Sequence, residues 1–135
     1  MAKGEIYHHS QFPFHDGQIG DKLFVVLNDP RNDEPYIVVR TTSNLRNRPY
    51  QKGCNPEFGD FFFPSGTEKL FPKDTLIQLV ETYEFSRDEF LKGCLQDKII
   101  SSIGSLSSNA LAQLINCVRK LKNEISEYHF RLITH

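Results

Sequence analysis

Up to about residue 85 the apolar positions come in short runs divided by turn residues, and beyond Ser86 they recur every three or four positions. The first pattern predicts strands and the second helices. In GEIYHHSQF, residues 4–12, Ile6 and His8 fall on one face and Tyr7 and His9 on the other, with no helical period. KLFVVLN is a nearly continuous apolar run closed by the turn-rich NDPRNDEP, and the β-branched YIVVRTTS follows at once. These two runs, 22–28 and 36–42, predict an antiparallel pair joined by a long polar loop. Residues 43–60 read as a long loop, GDFFFPSG as an edge strand ended by Pro64, and TLIQLVETYEF as a strand bent or bulged near Val80 to Tyr83. Five or six strands of this kind predict a small antiparallel barrel, because closure removes exposed edges.

After the barrel, Ser86 and Glu89 stand at the reciprocal spacing of a capping box, which starts a short helix. LSSNALAQLINCVRKLKNEI then lines up Leu111, Leu114, Ile115, Val118, Leu121 and Ile125 on one stripe of a longer helix. The expected fold is mainly β with C-terminal α. One domain spans 1–135, with a barrel over about 1–86 and a helical appendage of two helices over about 87–135.

Length and composition agree with that reading: 135 residues suit one core, and 39% hydrophobic with 24% charged residues is the balance of a globular protein. No window approaches the roughly 20 consecutive apolar residues of a membrane span. MAKGEIYHH lacks the apolar segment of a signal peptide, so a cytoplasmic location with no membrane partner is expected. Cys54, Cys94 and Cys117 are odd in number and far apart, which predicts ordinary reduced thiols rather than a disulfide framework or a zinc site.

A net charge of −1 excludes a protein that coats nucleic acid through its overall field, but it leaves room for a local patch. RTTSNLRNRPYQK supplies one, with Arg40, Arg46, Arg48 and Lys52, no acid, and Tyr50 among them. Guanidinium groups that fork onto phosphate beside an aromatic ring are the usual elements of single-strand binding. Upstream, FPFHDGQIGDKLFVVLND places a polar run with two glycines, Gly17 and Gly20, against a strand. That run can be a hairpin loop or a lid. His15 in it, next to Asp16, has the titration range of a general acid or base. His8, His9 and His15 do not make a metal site, since neighbours on a strand point to opposite faces. No cofactor motif occurs.

The order of these segments resembles the PemK/MazF family of bacterial toxins over nearly the whole chain. Gly4, Glu5 and Ile6 match the family's opening strand, and Gln18 and Gly20 fit its polar loop. IVVRTTSN resembles its next strand, and Ile103 to Leu106, IGSL, resembles the Ile-Gly-x-Leu before its final helix. The resemblance implies an SH3-like barrel, usually a homodimer, that cleaves single-stranded RNA without metal or cofactor and is silenced by an antitoxin. It assigns Lys22 to the family's catalytic Arg position and Thr41, or Thr42, to its hydroxyl position, while His15 is the candidate acid or base on its own chemistry. The loop from Asp16 to Asp21 would close over the scissile phosphate, and Gln18, Gly20, Thr42, Arg40, Arg46 and Arg48 would bind the strand. Three positions depart from the pattern. Lys22 cannot fork onto phosphate as Arg does. Leu23 replaces the family's Pro, and VETYE, residues 80–84, has neither the Arg nor the Asp of the corresponding segment. The alternative is an inactive barrel that binds nucleic acid or protein through residues 40–52, and a third reading is a toxin of this barrel that acts by binding a protein target.

Overall fold

Val25, Leu27, Ile37 and Val39 pack on one side of a sheet, and Phe24, Val26, Tyr36 and Val38 on the other. Both faces are covered, which is why these segments read as unbroken apolar runs. In this computed structural model, which describes residues 2–135, the strands are β1 (Glu5–Pro13), β2 (Ile19–Val26), β3 (Tyr36–Thr42), β4 (Gly53–Asn55), β5 (Asp60–Phe63), β6 (Thr75–Phe85) and β7 (Ile100–Ser105). The helices are α1 (Arg87–Leu95), α2 (Ser108–Lys120) and α3 (Glu127–Thr134). All pairings are antiparallel, in the order β4-β5-β6-β3-β2-β1-β7.

The mainly β fold with C-terminal helices holds, but the sheet does not close into a barrel. Its edges are protected in another way. β4 has only three residues and lies against α2, while β7 is polar and irregular in its pairing with β1. β7 also revises the division at residue 86, because it follows α1 and returns to pair with β1. The expected second helix is in fact two: α2 stops at Lys120, Ile125 is buried in the connecting turn, and Ser126 caps α3. Ser86 and Glu89 form both halves of the capping box at α1.

A bulge interrupts the pairing of β3 with β6. Val39 pairs with Thr82 but Thr41 pairs with Ile77, so Gln78 to Glu81 on β6 swell outward opposite Arg40. A bulge of this kind re-aims side chains beside a site.

The expectation of three reduced thiols fails for two of them. Cys54 on β4 and Cys117 on α2 form a disulfide, with Cα atoms 5.4 Å apart and a sequence separation of 63. Sequence spacing cannot foresee this, since pairing depends on Cα positions that only the fold provides. Cys94 is free. Reduction is expected to lower stability by about 2–4 kcal/mol, because the link restricts the unfolded chain. Urea unfolding with and without reductant measures it.

On the α1 side, His9 is 5% exposed among Phe12, Phe24 and Phe85, and its Nδ1 accepts from the Gln11 amide at 3.0 Å. Burial, and then the neighbouring His8, push its pKa below 6.5. The native state therefore holds His9 neutral while the unfolded chain protonates it. Stability should be fully present above about pH 6.5, where even the unfolded imidazole is neutral, and should fall as pH drops below that value. Denaturant melts between pH 7 and pH 5 should show a shallower loss for His9→Phe than for the natural chain.

Candidate functional site

The ends of β2 and β3 carry the polar residues that the sequence singled out. Lys22 lies on β2, and its Nζ donates to the main-chain oxygen of Thr41 at 3.1 Å. Thr41 is buried, and Thr42 follows at the strand end, where its hydroxyl accepts from the Asn44 amide. Lys22, Thr41 and Thr42 line a cavity of about 290 Å³ together with Asp21, Lys73 and Thr75. Burial, and then the nearby Arg40, hold the Lys22 ammonium below its ordinary pKa.

At the rim of this cavity the Asp21 carboxylate pairs with His8 Nε2. A carboxylate on one ring nitrogen fixes the orientation and tautomer of the imidazole. Two lysines, one of them desolvated, and the Asp21 carboxylate thus line this cavity, and Asp21 ties the His8 imidazole to it. His8 has no role assigned from the sequence. Nothing in HHSQF marks it, because its partner is thirteen residues away across a hairpin.

A second cavity, of about 170 Å³, adjoins the first. It is lined by Arg40, Arg46, Arg48, Tyr50, Phe58 and Asp60, among others, and Thr42 lines both cavities. Taken together they make one candidate groove at the end of β3, with Lys22 and Lys73 lining one half, the arginine-rich loop the other, and Thr42 both. Arg48 stands over the Phe58 ring at 5.2 Å. Tyr50 and Phe58 meet edge to face, with centroids 5.1 Å apart.

Arg40 is not a free cation. Its Nη2 donates to Glu81 at 2.5 Å, and its guanidinium lies 5.1 Å from the Phe14 ring centre and 5.9 Å from that of Tyr83. Its Nε is buried without a partner among the described residues. The β6 bulge brings Glu81 to this place.

The remaining candidates lie elsewhere. His15 stacks on Tyr83 at 3.9 Å, and its Nε2–H donates to the Thr82 carbonyl at 3.1 Å, so it does not join Lys22. The lid is a closed hairpin turn. Phe14 donates to the Gln18 carbonyl, Gly17 to the Phe14 carbonyl, and Gln18 to the Asp16 carboxylate. Gly17 takes φ of +87°, which the turn needs, whereas Gly20 belongs to β2 opposite Phe12. Gln18 and Gly20 line neither half of the groove.

One further constellation has the look of chemistry. Thr82 Oγ1 and His129 Nδ1 are 2.6 Å apart, and His129 Nε2 lies 2.7 Å from the Glu84 carboxylate. It lines neither half of the groove, and its effect is to clamp α3 onto β6. Among the described residues no three His, Cys, Asp or Glu side chains gather as a metal site would require.

No family model matches the chain. A 109-residue stretch, 79% of the chain, is 23% identical to a dual serine/threonine and tyrosine protein kinase of Gallus gallus. The chain spans 11% of that protein. Its sequence has no Gly-rich phosphate loop of kinase spacing, no His-Arg-Asp and no Asp-Phe-Gly, the runs with which kinases hold and transfer a phosphoryl group.

Proposed function

We propose that the groove binds single-stranded RNA and cleaves it by attack of a ribose 2′-hydroxyl on the adjacent phosphate, without metal. The observation that carries this reading is Thr42, shared by the lysine cavity and the arginine-aromatic cavity. A strand tracking through such a groove meets cations for its phosphates and rings for its bases. Cleavage needs a base at the 2′-hydroxyl, a proton for the leaving 5′-oxygen and positive charge at the phosphorane. His8, oriented by Asp21, takes the hydroxyl proton. Lys22, a stronger acid than a free lysine, gives the leaving oxygen its proton, and Lys73 holds charge beside it. Thr41 and Thr42 shape the floor between them.

The resemblance to the PemK/MazF family supports the same substrate and adds a toxin role, a homodimer, an antitoxin partner and a cytoplasmic setting. Among the described residues no helix is long and apolar enough to cross a membrane. The second reading, binding without cutting, is favoured by one observation: Glu81 neutralises Arg40, a cation of the groove whose charge acts on Lys22.

Binding to a labelled single-stranded oligonucleotide, followed across salt concentrations, tests the groove itself. Each phosphate contact on a single strand contributes about 0.7 to the slope of log affinity against log salt, so Arg46→Ala should flatten that slope by about 0.7. An unchanged slope in Arg46→Ala would place the strand somewhere else.

A further inference from the structure

The arginine-aromatic half of the groove holds a carboxylate that phosphate binding does not explain. Asp60, at the start of β5, is 7% exposed. Its Oδ2 accepts from the Tyr50 hydroxyl at 2.5 Å. Among the described residues no cation forms an ion pair with it, and its Oδ1 receives no hydrogen bond. Burial pushes its carboxyl up, while the Tyr50 hydroxyl and the charges of Arg48 and Arg46 pull it back. An acid inside a basic groove opposes phosphate, so its presence calls for a ligand with donors of its own.

Around Asp60 the cavity is lined by aromatic rings. Tyr50 and Phe58 supply them, and the Arg48 guanidinium, over Phe58, stands beside the Tyr50 hydroxyl that bonds Asp60. One part of the lining accepts hydrogen bonds and another donates them. Guanine matches this pairing along one edge. Its N1–H and N2–H₂ are adjacent donors that suit a carboxylate, and its O6, next in line, is an acceptor that suits the arginine. Adenine and cytosine each set one amino donor beside a bare ring nitrogen, whose lone pair would face the carboxylate. Uracil flanks its single N–H with two carbonyl oxygens.

We infer that this cavity is a base-specificity pocket taking a guanine unstacked from single-stranded RNA, with Asp60 reading its N1–H and N2–H₂ and Arg48 the O6 beside them. Single-stranded RNA is read in this manner, by stacking together with hydrogen bonds to the base edges. The inference rests on the proposed RNA binding and adds the base that the groove selects.

The test is fluorescence anisotropy with three labelled oligoribonucleotides of equal length, uridine throughout except for one central guanosine, inosine or adenosine. Guanosine should bind tightest. Inosine, which lacks only the N2 amino group, should lose about tenfold, and adenosine between about tenfold and a hundredfold. Asp60→Asn should bring the guanosine oligonucleotide down to the adenosine level. A thermal melt of that variant checks that it is folded, and the inosine comparison needs no variant at all. Equal binding of all three oligonucleotides would overturn the guanine pocket and leave the RNA reading standing. Equal guanosine and inosine affinities with weaker adenosine would overturn the two-donor reading by Asp60, since the N2 amino group would then contribute nothing. No binding to any of them would overturn both.

Discussion

Lys22→Ala should lower the rate of RNA cleavage by about 10²- to 10⁴-fold, the range that a positioned proton donor contributes. The loss should fall mainly on kcat, because Lys73 and the loop arginines remain to hold the strand. Lys22→Arg separates the two roles. Arginine keeps the positive charge but does not release its proton near neutral pH, so that variant should bind RNA as the natural protein does and still cleave slowly. The pH profile gives a further check. Burial and Arg40 hold the Lys22 ammonium below 10.5, so the alkaline decline in rate should begin at a lower pH than for an ordinary lysine. A single-turnover rate series on both variants across pH measures all of this. A rate unchanged in Lys22→Ala would remove the residue from the chemistry.

Phe24→Ala should destabilise the fold by about 3–5 kcal/mol, the usual cost of emptying a fully buried aromatic site. Phe24 is 0% exposed, and its ring centre lies 5.7 Å from that of Tyr7, 5.9 Å from Phe12, 5.6 Å from Phe85 and 5.8 Å from Phe90. These rings come from β1, β6 and α1, so the cavity would open where three elements meet. Collapse is hindered because each neighbour is held by its own strand or helix. With total stability of small domains usually about 5–15 kcal/mol, this one change removes a large share of it. Urea unfolding of the variant should show a lower midpoint at similar slope. By contrast, His15→Ala touches a stacked ring at the surface of the same side and should cost far less.

The strands of the sheet centre were legible because both faces are buried. Phe24 to Leu27 and Tyr36 to Val39 leave no ambiguity when every position is apolar. The Ser86 cap was legible because its signal is local. β7 was not, since ISSIGS exposes most of its residues and so has no hydrophobic pattern to read. α3 was missed for a related reason: Ile125 continues the helical spacing of α2 although the chain turns before it.

At the site, residues of one segment were found and their partners were not. Arg46, Arg48 and Tyr50 stand out as a cluster in sequence, but Asp60 and Phe58 reach them only through the β4–β5 turn. Lys22 was placed by family order, whereas His8 is tied to the cavity only through Asp21, across the β1–β2 hairpin. His15 carried the more conspicuous sequence signal, a histidine beside an acid and two glycines. The hairpin turn directs it instead onto Tyr83.

The most direct measurement is to incubate the purified, folded protein with a mixed-sequence single-stranded RNA in EDTA and map the new ends, with Lys22→Ala and Thr41→Ala proteins alongside. Cuts at defined positions are expected in EDTA, nearly absent with Lys22→Ala and reduced with Thr41→Ala. RNA left intact by the natural protein would contradict metal-independent cleavage at this groove.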